Sequence, residues 1–231
     1  MSSKEVSSDN KWCFAWFAAA PPSTGAAKAA LVKGSKWNKG ATISISFLDG
    51  TEEQKALVRR FAPDWIKNLA NLQFSWQAPP NTDIRISFQY PGSWSVIGTT
   101  AKGISKDQPT MNFGWLTPGV SDDEARRVIL HEFGHALGLI HEHQNPISSI
   151  QWNKPAVTAD LSGPPNNWDA QTIEHNMFEQ YPSNEIAGTK LDWHSIMMYP
   201  IPKSWTLDGS SAEMNDNLSD MDKTFIRKQY P

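Results

Sequence analysis

The chain has 231 residues, with 21 Lys plus Arg against 24 Asp plus Glu, a formal net charge of −3 and a single cysteine. That length suits one large domain or two subdomains sharing a cleft, and the near balance of charge carries no basic excess for a nucleic acid or an anionic membrane. One cysteine excludes a disulfide framework and a cysteine-rich metal module alike. Mean hydropathy is −0.49 and no apolar run approaches the ~18 residues of a membrane-spanning helix, so a soluble, monomeric globular protein is expected.

The amino terminus is a poor secretory signal. Residues 1–11 set Lys4 and Lys11 against Glu5 and Asp9, and the apolar stretch that follows is short, holds Trp12 and Trp16, and runs into Pro21-Pro22. Residues 1–36 are therefore read as an N-terminal extension, propeptide-like at most, with residues 18–30 a linker or short helix. The cytoplasm or leaderless export is favoured over classical secretion. From Gly40 the pattern changes. Thr42-Ile43-Ser44-Ile45-Ser46-Phe47 alternates as a half-buried strand does. Thr51 caps a helix with Leu57, Val58, Phe61, Trp65, Ile66 and Leu69 on its apolar face, which Pro63 kinks or splits. Strands are expected at 73–77, at 83–89 with Ile84, Ile86 and Phe88 on one face, at 95–99 and at 110–114. A strong helix spans 121–137, opening with the capping box Ser121/Glu124. After His141 the chain reads as irregular until a last helix near 219–230. The fold class is α+β: an upper subdomain of about 37–138 and a loop-rich lower one of about 139–231.

The second helix carries His131-Glu132-Phe133-Gly134-His135. Residues i and i+4 stand above one another on a helix face, so both imidazoles reach one ion at about 2.0–2.1 Å. Glu132 is turned away by one helical step of about 100°, outside the ligand set but near the water to be activated. Gly138 can take positive φ and end the helix, and the reversed chain delivers His141 as a third nitrogen ligand. Three neutral histidines leave a fourth zinc position open, as a catalytic site requires. The full spacing H-E-x-x-H-x-x-G-x-x-H arises by chance in on the order of one chain in 10⁵ of this length.

These residues resemble the metzincin signature, and Ser195-Ile196-Met197-Met198-Tyr199 is similar to the Ser-x-Met-x-Tyr Met-turn of astacins. Glu142, directly after the third histidine, also matches the astacin pattern. The resemblance implies a mixed twisted sheet with a backing helix and an active-site helix above a cleft, and a loop-rich lower half with a final helix. It implies one zinc ion on His131, His135 and His141, Met197 as an apolar floor, and Tyr199 as a group that binds zinc at rest and swings to stabilise an oxyanion. It also implies a protein or peptide substrate lying extended along an edge strand, for which Thr110-Met111-Asn112-Phe113-Gly114 is the candidate. The chain departs from standard astacins in lacking their disulfides and in reading His143-Gln144-Asn145-Pro146 where they place an Arg and an acidic cluster.

The function expected is that of a zinc metalloendopeptidase, with Glu132 as general base and then general acid, and Tyr199 as oxyanion donor. The rivals are a non-proteolytic zinc protein that grips a peptide or glycan, against which the presence of Glu132 argues, and a zinc amidase of small substrates. His143, two residues past the third ligand, could line the cleft, but a solvated loop histidine is the expected reading for it and for His175 and His194. Calcium is disfavoured, since the acids between Asp208 and Asp222 lack EF-hand spacing and Ser219/Asp222 fits a helix cap. Cys13 has the ordinary reading of a small buried hydrophobe and the alternative of a thiolate that blocks the zinc position. Eleven tryptophans, scattered without period, are expected to pack core and cleft walls, a carbohydrate platform being the alternative.

Overall fold

The computed structural model describes residues 14–16 as a backbone strand, and residues 34–164, 166–180 and 190–231 in full. Cys13 and most of the N-terminal extension lie outside the described residues. The strands are β1 (Phe14–Trp16), β2 (Thr42–Phe47), β3 (Gln73–Trp76), β4 (Ile84–Ser87), β5 (Ser93–Val96) and β6 (Met111–Phe113); the helices are α1 (Glu52–Phe61), α2 (Asp122–Ala136), α3 (Lys154–Ser162), α4 (Ala170–Ile173) and α5 (Asp220–Gln229). They build the mixed α+β architecture that the sequence leads one to expect. No helix among the described residues is long and apolar enough to cross a membrane.

The strands form one sheet in the order β1-β5-β6-β4-β2-β3, parallel throughout except for the antiparallel pair of β5 and β6. Ile43 and Ile45 of β2, Ile84 and Ile86 of β4, and Met111 and Phe113 of β6 enter one apolar cluster with Val58 and Phe61 of α1 and Val128, Ile129 and Phe133 of α2. β4 differs from the expected half-buried strand, because Arg85 and Ser87 on its other face are buried as well. The Pro63 reading is also refined. α1 stops at Phe61, and the chain continues through Ala62–Trp65 as a 3-10 turn with the proline at its start, where a missing N–H costs nothing.

The expectation that 110–114 forms a sheet edge is overturned. β6 lies inside the sheet, parallel to β4 through Ile86–Met111 and antiparallel to β5 through Trp94–Asn112. The Asn112 amide then donates to Tyr90 O at 2.9 Å and Gly92 O at 2.6 Å, tying down the turn that brings β5 alongside. Short apolar runs reveal a strand but not its neighbours. Among the described residues, the three of β1 flank the far side of β5.

A second apolar cluster lies C-terminal to the zinc motif: Val157 and Leu161 of α3, Ile173, Met198, Tyr199 and Trp205. Here the reading of a wholly irregular segment after His141 is corrected, since α3 and α4 fall within it. α3 escapes a periodicity argument because only Val157 and Leu161, one turn apart, are fully buried in it. α5 returns to the first cluster through Ile226 and carries the expected Ser219/Asp222 capping box.

Arg85 is fully buried and is satisfied by the backbone. Its guanidinium donates to four carbonyls: Gln108 O and Thr82 O at 2.8 Å, and Ile104 O and Ser105 O at 3.2 Å. One side chain thus ties down the backbone of the 104–108 loop. Arg85→Met takes the donor from Gln108 O and Ile104 O, while Thr82 O keeps Lys106 Nζ and Ser105 O keeps Gln108 N, and it is expected to lower stability by about 2 kcal/mol or more. Urea unfolding measures this; a loss under about 1 kcal/mol would mean that water replaces the arginine.

Candidate metal centre

α2 is shaped at both ends by specific hydrogen bonds. Ser121 Oγ accepts from Glu124 N at 3.2 Å, while the Glu124 carboxylate is held by Arg127 through two contacts of 2.8 Å, so the capping box is completed only on the serine side. At the other end Gly138 takes φ +99°. Gly138 N donates to His135 O at 2.8 Å and Leu139 N to Gly134 O at 2.9 Å, the paired bonds of a Schellman ending. Two further carbonyls of the last turn are satisfied from outside, Ala136 O by the Trp37 indole at 2.8 Å and Leu137 O by the Tyr230 hydroxyl at 2.7 Å. The turn that redirects the chain toward His141 is therefore fixed on every side.

His131, His135 and His141 converge. One ring nitrogen of each lies within 4.8 Å of the other two, and all three rings are buried. His131 Nδ1 lies 2.8 Å from Ile196 O and His135 Nδ1 lies 2.8 Å from Leu139 O. A carbonyl can only accept, so both Nδ1 atoms carry the hydrogen and both Nε2 atoms present a lone pair. His135 Nε2 and His141 Nε2 stand 3.2 Å apart; two nitrogens on a tetrahedral zinc at about 2.05 Å are about 3.3 Å apart. His131 Nε2 is buried without a hydrogen-bond partner. The donor set thus fits zinc. Burial holds the rings neutral, pushing His135 down to about 4 and His131 and His141 well below the usual histidine value, so the lone pairs stay available across neutral pH.

Glu132 is fully buried and lines one cleft together with His131, Tyr199, Trp115, Met198 and Arg127. The Tyr199 ring packs 4.2 Å from that of His141 and 6.4 Å from that of His131. Beneath the helix, Met197 is buried against Gly134, where an added Cβ would stand 2.3 Å from the Met197 sulfur. Only glycine admits that approach. The Met-turn is clamped by α5: Asp222 accepts from Ser195 Oγ at 2.7 Å and from Ile196 N at 2.9 Å, and Ser195 Oγ accepts from Met197 N at 3.0 Å. Glu142 accepts from Asp192 N at 3.2 Å, and burial pushes its carboxyl up to about 8.

All five residues singled out from the sequence as ligands or reacting groups are therefore brought to one place. The outlying histidines divide. His175 is exposed, 2.6 Å from Glu179, and His194 is exposed, both as expected. His143 is not solvated at all: it is 1% exposed, and burial lowers its ring to about 4. Its place two residues past the third ligand is the signal the sequence offers; its burial depends on the 174–178 turn, which the sequence does not announce. The tryptophans do more than pack. Besides Trp37, the Trp65 indole donates to Leu130 O at 2.7 Å and the Trp205 indole to Asp160 at 2.6 Å.

Comparison with known proteins agrees with this geometry. The family model described as Astacin, a peptidase family, matches residues 30–230. "Zinc metalloproteinase nas-19" of Caenorhabditis elegans is 30% identical over 114 residues, 49% of this chain, and the match spans 27% of that protein's length. Among solved structures, one of myroilysin is 39% identical with a TM-score of 0.84, covering 87% of this chain and 98% of that one, and a second is 35% identical with a TM-score of 0.68, covering 96% and 92%. The hatching enzyme zinc-protease High choriolytic enzyme 1 of Oryzias latipes shares the fold at 17% identity, with a TM-score of 0.56 over 84% of this chain and 92% of that one.

Proposed function

Because the chain belongs to the astacin family of peptidases, we propose that it is an endopeptidase in which His131, His135 and His141 hold one catalytic zinc, Glu132 moves the proton and Tyr199 supports the oxyanion. The observation that carries this reading is the convergence of three buried ring nitrogens within 4.8 Å beside a buried glutamate on the same cleft. Zinc bound there would acidify the attacking water and polarise the scissile carbonyl. Glu132, buried one residue along from His131, accepts the proton from that water at its carboxylate and returns it to the departing amine. The Tyr199 phenol donates a hydrogen bond to the oxygen that becomes negative as the carbonyl carbon turns tetrahedral. Neutral imidazoles, held by the carbonyls of Ile196 and Leu139, keep their Nε2 atoms aimed at the metal position.

The domain organisation follows the same lines. Residues 37–231 form the catalytic domain, with its upper subdomain to about residue 138 and its lower one beyond. Residues 1–36 are a propeptide-like extension. With β6 inside the sheet, the edge that would take an extended peptide is the side of β5 away from β6, which β1 occupies in parallel through Phe14–Trp94 and Trp16–Val96. A substrate that adds to that edge therefore requires β1 to leave. The test is digestion of denatured casein by the zinc-loaded chain with and without a chelator, with products and the chain itself mapped by mass spectrometry. Internal cleavage that the chelator stops, together with loss of the amino-terminal segment before activity rises, is the expected result. Cleavage that survives complete zinc removal overturns the reading.

A further inference from the structure

Among the described residues, His143 is the one fully buried histidine to which the proposed reaction gives no work. It follows the 3-10 turn's first residue, Glu142, and its ring lies against three aromatic neighbours: Tyr199 at 4.7 Å and 30°, His141 at 5.5 Å, and Trp152 edge-on at 6.1 Å. Its Nε2 lies 2.8 Å from Asn176 O, so the nitrogen carries the hydrogen and donates it. Asn176 sits in the π-helical turn Glu174–Phe178, at a helix end where carbonyls run out of intrahelical donors. The neighbouring Gln144 amide donates to His175 O at 2.9 Å, and Ser148 Oγ donates to His143 O at 3.0 Å. The imidazole is thus bolted to the 174–178 turn on one side and pressed on the tyrosine ring on the other.

We propose that His143 is a positioning residue for Tyr199. The Tyr199 ring meets His141 and His143 together, at 4.2 and 4.7 Å, and His143 is the member of that pair anchored outside the metal site. A flat ring with one directed donor suits the place: the face sets the tilt of the tyrosine, and the hydrogen bond sets the face. Catalytic groups displaced by even about 1 Å lose much of their effect, so the consequence belongs to turnover and not to zinc or substrate affinity.

The inference rests on the proposed role of the Tyr199 hydroxyl, and a double-mutant cycle separates the two. His143→Gln, which removes the ring, is expected to lower kcat about tenfold with KM and zinc content unchanged. His143→Phe, which keeps a ring face but not the bond to Asn176 O, is expected to recover part of that loss. In the Tyr199→Phe background there is no hydroxyl left to position, so His143→Gln should have no further effect on kcat. If His143→Gln does not fold, His143→Leu takes its place. An equal tenfold loss in both backgrounds overturns the positioning role while leaving that of Tyr199 intact. An unchanged kcat in Tyr199→Phe alone overturns the role of the tyrosine, and the inference with it.

Discussion

Glu132→Gln is expected to bind zinc as the parent chain does and to lose about 10²–10⁴-fold in kcat, the usual worth of a positioned general acid–base group. Glutamine has the volume of glutamate, and the site is tightly enclosed: Glu132 is fully buried within α2, between Leu130 and Phe133, which are buried as well. The ligand nitrogens belong to other residues, and their Nδ1 bonds run to Ile196 O and Leu139 O, which the substitution does not touch. What disappears is a carboxylate able to take a proton and give it back. Zinc content by elemental analysis, beside kcat and KM on one mapped peptide, distinguishes this from a damaged site. A zinc-loaded variant that turns over within about tenfold of the parent would show that the proton goes elsewhere.

The proposed site was legible in the sequence to an unusual degree because it is mostly local. His131, Glu132 and His135 lie within one and a half turns of a single helix, and Gly138 brings His141 back after only three more residues, so spacing alone specifies the convergence. Thr42–Phe47 was legible for a similar reason, since period-two alternation survives in a strand with one face in the core. What the sequence could not convey is long-range. The place of Met111–Phe113 between β4 and β5 depends on a turn that Asn112 holds through carbonyls 20 and 22 residues away, and an apolar–polar–apolar pattern does not name those partners. The burial of His143 depends on Asn176, 33 residues away. α3 buries two residues one turn apart, too few for a periodic signal.

The same distinction explains how a short motif is made rigid. The helix supplies the spacing, but its C-terminal carbonyls are closed by Trp37 and Tyr230, from opposite ends of the described chain. The Met-turn is held by Asp222, the residue that also caps α5. Polar groups that would otherwise compete for water at helix ends are used to fix the ligands' backbone, which is where orphan groups are costly if left unpaired. The departure from disulfide-bonded astacins acquires a physical meaning here: among the described residues, long-range hydrogen bonds do the tethering.

His135→Ala is expected to have an effect as large as that of Glu132→Gln but through a different route, by loss of the metal. His135 is fully buried, its Nδ1 is fixed by Leu139 O, and its Nε2 stands 3.2 Å from that of His141. No other described His, Cys, Asp or Glu joins the three-histidine cluster as a spare ligand. Losing a partner behind a ligand costs about 10–100-fold in metal affinity, so losing the ligand itself should cost about 10³-fold or more, and turnover falls with occupancy. Stability reports the loss independently of activity. Zinc present at about a thousand times its Kd stabilises the folded chain by about 4 kcal/mol, and at about 2–4 °C per kcal/mol for a domain of this size a chelator should lower the parent Tm by about 8–16 °C. The variant, with little zinc to lose, should melt at the same temperature with or without chelator. A variant whose Tm still drops as far as the parent's on chelation would remove His135 from the ligand set and, with it, the three-histidine site.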